Sequence, residues 1–314
     1  MWLRKDDCMA FDFYFAGSQC QETTDLIKDL DANVLKSFYN DMSDILKWFE
    51  YKKQGWKGKL LIDNGAFTVH RQGGEIKIDS YIEWLNSNDS MIDYAIALDH
   101  IPGKWGERKT EEQVKQAPIK TWENYLYMID RCKSPQKLLP VFHQGEDYKY
   151  LKQIVEHKIN DKFVQYICIS GNKELTNKQR EDFYLHCFDV ISKSNNQNIK
   201  THFLGSATLS NAKRFPVTSM DATSWIMTGA NGSIFTDWGN VKISKESKKD
   251  KDNIVNLPKN VQQSISDYCK KHNITLEQAQ DSYRYRMVLN IYYLYEQSKK
   301  ISYNNRSLTV KKLF

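Results

Sequence analysis

Five short apolar runs in this sequence each end on a residue able to do chemistry. They are KLLIDNGAF with Asp63, DYAIALDH with Asp99, LLPVFHQG with Gln144, YICISGN with Gly171 and VTSMDATSW with Asp221. A (β/α) barrel assembles its active site from carboxylates and amides at the C-terminal ends of successive strands. Each residue also has a plainer reading. Asp63, before Asn64 and Gly65, reads alone as a turn residue. Asp99, before His100, reads alone as a strand-end cap or a metal ligand. Asp221 differs, because it lies between Met220 and Ala222 in an apolar strand, where a carboxylate without a role is costly to bury. His100, His143 and His202 also fall at strand ends and read as barrel histidines with satisfied partners or as residues that shape the pocket.

The elements that must position these residues follow from periodicity. FDFYFAGS (11–18), KLLID (59–63), DYAIALD (93–99), KLLPVFH (137–143), FVQYICIS (163–170), IKTHFLGS (199–206) and VTSMDATSW (217–225) read as strands. Residues 22–53 carry Leu26, Leu30, Val34, Leu35, Phe38, Ile45, Leu46 and Phe49 at helical spacing and read as one or two helices. Further helices are expected over 79–88, 110–131, 146–158, 175–194 and 208–214, with Thr110 and Thr176 at helix entries. The continuous apolar runs suit strands buried on both faces of a parallel sheet. No G-x-G-x-x-G follows a first strand, and the polar residues end many strands rather than one switch point. Both observations favour a barrel over a doubly wound sheet. Beyond it, 231–244 reads as strand-like with a turn at Asn231-Gly232, 244–253 as a charged loop, and 258–314 as helical. The division expected is a barrel over 1–243 and a basic extension over 244–314 packed on it.

Composition bounds the class. The chain has 314 residues, 40% hydrophobic and 27% charged, which suits a globular protein with a real core. The net charge of +6 is uneven: from Lys242 onward there are 15 Lys/Arg against 7 Asp/Glu, leaving 30 against 32 before it. A basic tail on a neutral body reads as a polyanion-binding surface or as a solvated helical face. The six cysteines are scattered, without C-x-x-C or a Cys/His cluster, so neither a structural zinc nor a disulfide framework is expected. No apolar run approaches bilayer length and the N-terminus lacks an apolar signal core, so a cytoplasmic protein without membrane contact is expected.

The order and spacing of these motifs, from about Leu61 to about Lys242, resemble the tRNA-guanine transglycosylase superfamily. IDNGAF (62–67) is similar to the D-S-G-G-F-Q element, which implies that Asp63 is the proton donor and acceptor. ALDH (97–100) resembles the element whose aspartate, here Asp99, reads the Watson–Crick edge of the base. VFHQG (141–145) resembles the V-Q-G element, so that Gln144 and Gly145 would bind the base's carbonyl side. SGN (170–172) resembles a G-G-L element, which places Gly171 and Asn172 in the pocket wall. MDATSW…GANG (220–232) resembles the D-C-V-x-P-T-R…R-N-G element, whose aspartate, here Asp221, is the nucleophile. The resemblance implies a (β/α)8 TIM barrel that exchanges guanine in a polynucleotide for a 7-deazaguanine, with no cofactor. The residue types suit that reaction. A carboxylate can attack C1′ and hold the sugar covalently, and a second can shuttle the proton, as in a retaining glycosidase.

The departures from the family set the expected substrate. The C-x-C-x-x-C…H zinc motif is absent. Trp225, Ile226 and Met227 stand in place of P-T-R, and Asn172 in place of leucine. These features resemble the DNA-modifying branch found in phages and bacterial modification clusters. Its members insert a 7-deazaguanine, commonly 7-cyano-7-deazaguanine, into DNA. The resemblance therefore implies DNA and a free 7-deazaguanine as partners, and leaves room for other proteins of a DNA-modification system. The alternatives are a tRNA-guanine transglycosylase and a non-catalytic nucleic-acid-binding barrel. Lys104 and Arg108, with Trp105, after Asp99 are expected to hold the nucleic acid. So are Lys245, Lys248, Lys249, Arg284 and Arg286 of the basic tail.

Overall fold

The computed structural model describes residues 9–17, 20–205, 208–247 and 249–303. Its centre is one parallel sheet of nine hydrogen-bonded segments. In chain order they are β1 (Asp12–Ala16), β2 (Asn33–Ser37), β3 (Leu60–Asp63), β4 (Tyr94–Ile96), β5 (Leu138–Leu139), β6 (Val141–His143), β7 (Tyr166–Ser170), β8 (Lys200–Leu204) and β9 (Ser219–Ala222). The last of these pairs with the first, Asp221 lying beside Tyr14. The sheet's two outer members, β5 and β6, are consecutive in the chain and separated by Pro140 alone. Leu139 accepts from Ala97 N–H at 2.9 Å on one side, and Pro140 accepts from Cys168 N–H at 2.8 Å on the other. The sheet thus curls until both edges meet on one stretch of chain, a barrel-like arrangement. A proline has no N–H to give the ladder, which accounts for the break at that point.

The helices lie between and outside the strands. α1 (Gln21–Asp29), α2 (Met42–Lys53), α3 (Ala66–Arg71), α4 (Ile78–Ser87), α5 (Glu111–Arg131), α6 (Tyr148–Glu156), α7 (Asn177–Ser192), α8 (Leu209–Arg214) and α9 (Ser224–Ala230) follow the strands in turn. The entries at Thr110 and Thr176 are capping boxes, closed by Gln113 and Gln179. Alternation along each strand divides the core in two. Outward residues such as Phe13, Val34, Ile62, Ile167 and Phe203 pack under the helices. Inward residues such as Tyr14, Leu35, Leu61, Val141 and Cys168 fill the interior as a separate cluster. Two positions beyond Leu61 and Val141, on the same face, stand Asp63 and His143.

One sequence expectation is corrected here. The stretch 22–53 contains the strand Asn33–Ser37 between its helices. The turn expected at Asn231-Gly232 is present, with Gly232 at φ +83°, and a second turn at Asp237-Trp238 joins β10 (Ser233–Thr236) to β11 (Gly239–Lys242) as a hairpin. Beyond the hairpin come α10 (Lys259–Lys271), α11 (Leu276–Asp281) and α12 (Tyr283–Lys299). The C-terminal part divides by packing. Ile234, Val241, Ile254, Ile265 and Leu289 form a satellite cluster. In contrast, α12 contributes Met287, Ile291 and Leu294 to the main outer core. Its Tyr295 hydroxyl donates to Leu30 O at 2.9 Å, so α12 seals the fold against the N-terminal helix. Among the described residues no helix is long and apolar enough to cross a membrane.

The contact between α9 and α12 is close because Gly229 has no side chain. A Cβ there would lie 2.7 Å from Met287 Cγ and 3.0 Å from Met287 N. Gly229→Ala is therefore expected to cost about 1–3 kcal/mol by forcing the helices apart, read as a lower urea midpoint with an unchanged slope. A midpoint equal to the parent's would show that this packing yields at no cost.

Candidate active site

Asp63, Asp99, His143 and Asp221 all stand at the C-terminal ends of strands. Asp63 ends β3 and His143 ends β6. Asp99 follows β4, and Asp221 is the third residue of β9. The field of Asp221 and that of Asp99 both act on Asp63, and all three carboxylates act on the Cys168 thiol beneath them. Of the expected residues, the structure brings these three aspartates together around one interior space.

Their environments differ, and so does their chemistry. Asp63 is half-buried, and the loss of solvent around it pushes its carboxyl up to about 7. The neighbouring charges of Asp99 and Asp221 add to the shift, and one bond from Gly65 N–H at 3.2 Å opposes it. Gly65 has φ +85°, and a Cβ there would meet Ser37 Oγ at 2.8 Å, so the turn that presents Asp63 requires glycine. A carboxyl set near neutrality can give and take protons at working pH.

Asp99 is held as an anion. Burial alone would raise its carboxyl, but His143 and Asn64 outweigh it and lower it below the ordinary carboxylate range. His143 Nε2 lies 2.9 Å from Asp99 Oδ2, and Asn64 Nδ2 donates to Asp99 Oδ1 at 3.0 Å. The other imidazole nitrogen of His143 lies 3.0 Å from Glu146 Oε1. Burial would lower His143, yet hydrogen bonds to the two carboxylates raise it to about 10. An imidazolium between two carboxylates fixes Asp99 as a pure acceptor.

That ion triad sets a pH dependence. A histidine raised from 6.5 to about 10 binds its proton more tightly in the native state. Its stabilisation is fully present below pH 6.5 and is lost as pH rises through about 10. His143→Gln is expected to lower stability by about 3 kcal/mol at pH 6 and to abolish the decline between pH 7 and 10. Denaturant midpoints across that range check it; an unaltered decline would assign it to another group.

Asp221 is buried, with 6% of its surface exposed. Its Oδ1 accepts from Gly205 N–H at 2.8 Å and lies 3.3 Å from His202 Nε2. Among the described residues no hydrogen bond falls on Oδ2.

The remaining expected residues are placed less simply. Gln144 uses both ends of its amide on protein, donating to Gln179 O and accepting from Asn172 N–H, each at 2.9 Å. It ties two loops of the rim together. Gly145 is exposed with φ +104°, and Gly171 and Asn172 follow the end of β7. Asn64, His143, Glu146, His202 and Gly205 were not selected for the site from sequence, although His143 and His202 were noted at strand ends. For Asn64, His143 and Glu146 the signal is a polar residue next to an already chosen one; His202 and Gly205 have no such neighbour.

Around the mouth, α3 and the loop after β4 carry exposed Phe67 and Trp105 in edge contact at 5.7 Å. The Arg71 guanidinium lies 5.3 Å from the Trp105 ring. Lys104, Arg108 and Lys249 are exposed. Other basic residues of the tail are committed to protein partners. Lys245 pairs with Glu277 and Asp281, and Arg284 with Glu22. Arg286 is a correction: it is buried, and its guanidinium donates to the carbonyls of Gly229, Ala279 and Gln280, so it braces α9 and α11 rather than a surface. Lys248 and residues 304–314 lie outside the described residues. The chain matches no protein-family model, and no curated protein is similar to it.

Proposed function

We propose that this chain is a DNA-guanine transglycosylase that replaces guanine with a 7-deazaguanine. In this reading β5 and β6 are one strand interrupted at Pro140, and the fold is an eight-stranded (β/α)8 barrel. The observation that carries the proposal is the convergence of three carboxylates, each with different hydrogen-bond partners, at the C-terminal end of one sheet. Double displacement at a glycosidic carbon needs such a set. Asp221 attacks C1′ as the bond to guanine breaks, and the sugar is held as an aspartyl ester. Asp63, near neutrality, protonates the departing guanine and then takes the proton from the incoming base. Asp99, held anionic by His143, accepts from the donor edge of guanine and rejects bases that present acceptors there. The target nucleotide must leave its stack to reach this interior. Phe67, Trp105 and Arg71 at the mouth suit contact with an extruded strand.

The choice of DNA rests on the sequence departures at Trp225–Met227 and on the missing zinc motif, together with the short basic rim of Lys104 and Arg108. Labelled guanine or 7-cyano-7-deazaguanine, offered with matched DNA and tRNA, tests it. Asp221-dependent label in DNA is the expected result. Label confined to tRNA would move the enzyme to the tRNA-modifying class. Label in neither nucleic acid, with binding retained, would favour a non-catalytic barrel.

A further inference from the structure

Beneath Asp221 a column of polar groups runs down the interior. Tyr166 Oη lies 2.5 Å from Ser219 Oγ, which lies 2.5 Å from His202 Nδ1. The other nitrogen of that ring, Nε2, lies 3.3 Å from Asp221 Oδ1. All four residues are buried, and His202 is wholly inaccessible. Despite that approach, Nε2 makes no hydrogen bond among the described residues. A buried ring nitrogen without a partner costs about 1–3 kcal/mol, and it is aimed at the carboxylate the mechanism needs. Hydrogen bonds of this kind are commonly long without substrate and tighten when it binds.

The geometry points to His202 as a positioning residue for Asp221, with its tautomer set from below. The donor inventory permits either direction, and the carboxylate facing Nε2 favours the one that puts the ring proton there. Tyr166 gives its hydroxyl proton to Ser219, and Ser219 gives its own to His202 Nδ1. Nδ1 is then an acceptor, the ring proton sits on Nε2, and it faces Asp221 Oδ1. Gly205 N–H already donates to the same oxygen at 2.8 Å. Both donors therefore hold Oδ1, and Oδ2 is the attacking atom.

This inference rests on the transglycosylase reading for its consequence. Oδ2 forms its bond to C1′ as the C1′–N bond breaks and its electron pair leaves with guanine. Oδ1 becomes the ester carbonyl oxygen, still held by Gly205 and His202. When the incoming base displaces the ester, the electron pair returns to a carboxylate already held by two donors. The column thus steadies the carboxylate and favours its departure in the second half of the reaction.

The first test is independent of activity. In protein labelled with ¹⁵N-histidine, the His202 signals are assigned by their loss in His202→Gln. An unprotonated Nδ1 and a protonated Nε2, with Nε2 shifting in Asp221→Asn, are the expected result. A proton on Nδ1 overturns the proposal, and the wild-type spectrum decides it even where a variant does not fold. The second test is kinetic. His202→Leu is expected to lower kcat about 100-fold with KM unchanged, whereas His202→Gln keeps a donor near Nε2 and stays within about 10-fold. Equal activity of both variants and parent overturns the positioning role and leaves the transglycosylase reading standing. Absence of exchange by the wild-type protein overturns that reading instead, and the tautomer still decides the column.

Discussion

Asp221→Asn is expected to lower base exchange by about 10⁴-fold or more while leaving nucleic-acid binding in place. The substitution is nearly isosteric. An asparagine oxygen can still accept from Gly205 N–H, so the local structure has no reason to collapse. What is lost is the anion. A carboxamide is a poor nucleophile at a glycosidic carbon, and no ester can form. On the proposed mechanism the parent protein, quenched with denaturant during turnover, should carry a protein–nucleic acid adduct that migrates slowly on a denaturing gel; the variant should not. Asp221→Ala makes the same point less cleanly, because it also leaves a gap beside His202 and Gly205. An Asp221→Asn enzyme that still forms the adduct would place the nucleophile elsewhere and end the assignment.

Much of this site was legible in the sequence because its signals are local. Leu61 and Asp63 share one face of one short strand, as do Val141 and His143, and alternation gives both their direction and their depth. The helix entries at Thr110 and Thr176 are equally local, each a hydroxyl three residues before a glutamine. The strand Asn33–Ser37 was hidden because Leu26, Leu30 and Val34 keep a four-residue spacing across the junction. The break there is made by Asp31 at φ +48°, a residue that does not announce a turn as glycine or proline does.

The supporting cast failed for a different reason. His143 acquires its role from Asp99, 44 residues away, and His202 from residues 17 and 19 positions further on. Arg286 looked like part of a basic surface because charge alone says nothing about burial. Its fork is spent on carbonyls at a helix end, which is what a buried guanidinium must find. The same holds for Lys245 and Arg284, whose acidic partners lie far along the chain. Net charge located the excess cations but not the ones left free to meet a phosphate.

Asp63→Asn is expected to show opposite effects on activity and stability. Exchange should fall about 10²–10⁴-fold, because the proton carrier is gone. The pH dependence separates the two half-reactions. Release of guanine needs Asp63 protonated, so its single-turnover rate should fall as pH rises through about 7. Entry of the new base needs Asp63 ionised, so that rate should fall as pH drops through the same value. Both limbs should be missing in the variant. Stability runs the other way. A carboxyl raised from 3.8 to about 7 binds its proton more tightly in the native state than in the unfolded chain. Native stability therefore declines as pH rises from 3.8 to about 7, and the ionised form costs on the order of 4 kcal/mol above that window. Asparagine carries no charge to bury and can still accept from Gly65 N–H. At pH 8 the variant should unfold at a higher denaturant concentration than the parent, with the difference shrinking toward pH 4. A variant less stable than the parent at pH 8 would mean that Asp63 is not held under electrostatic stress, and its proposed role as proton carrier near neutrality would lose its physical basis.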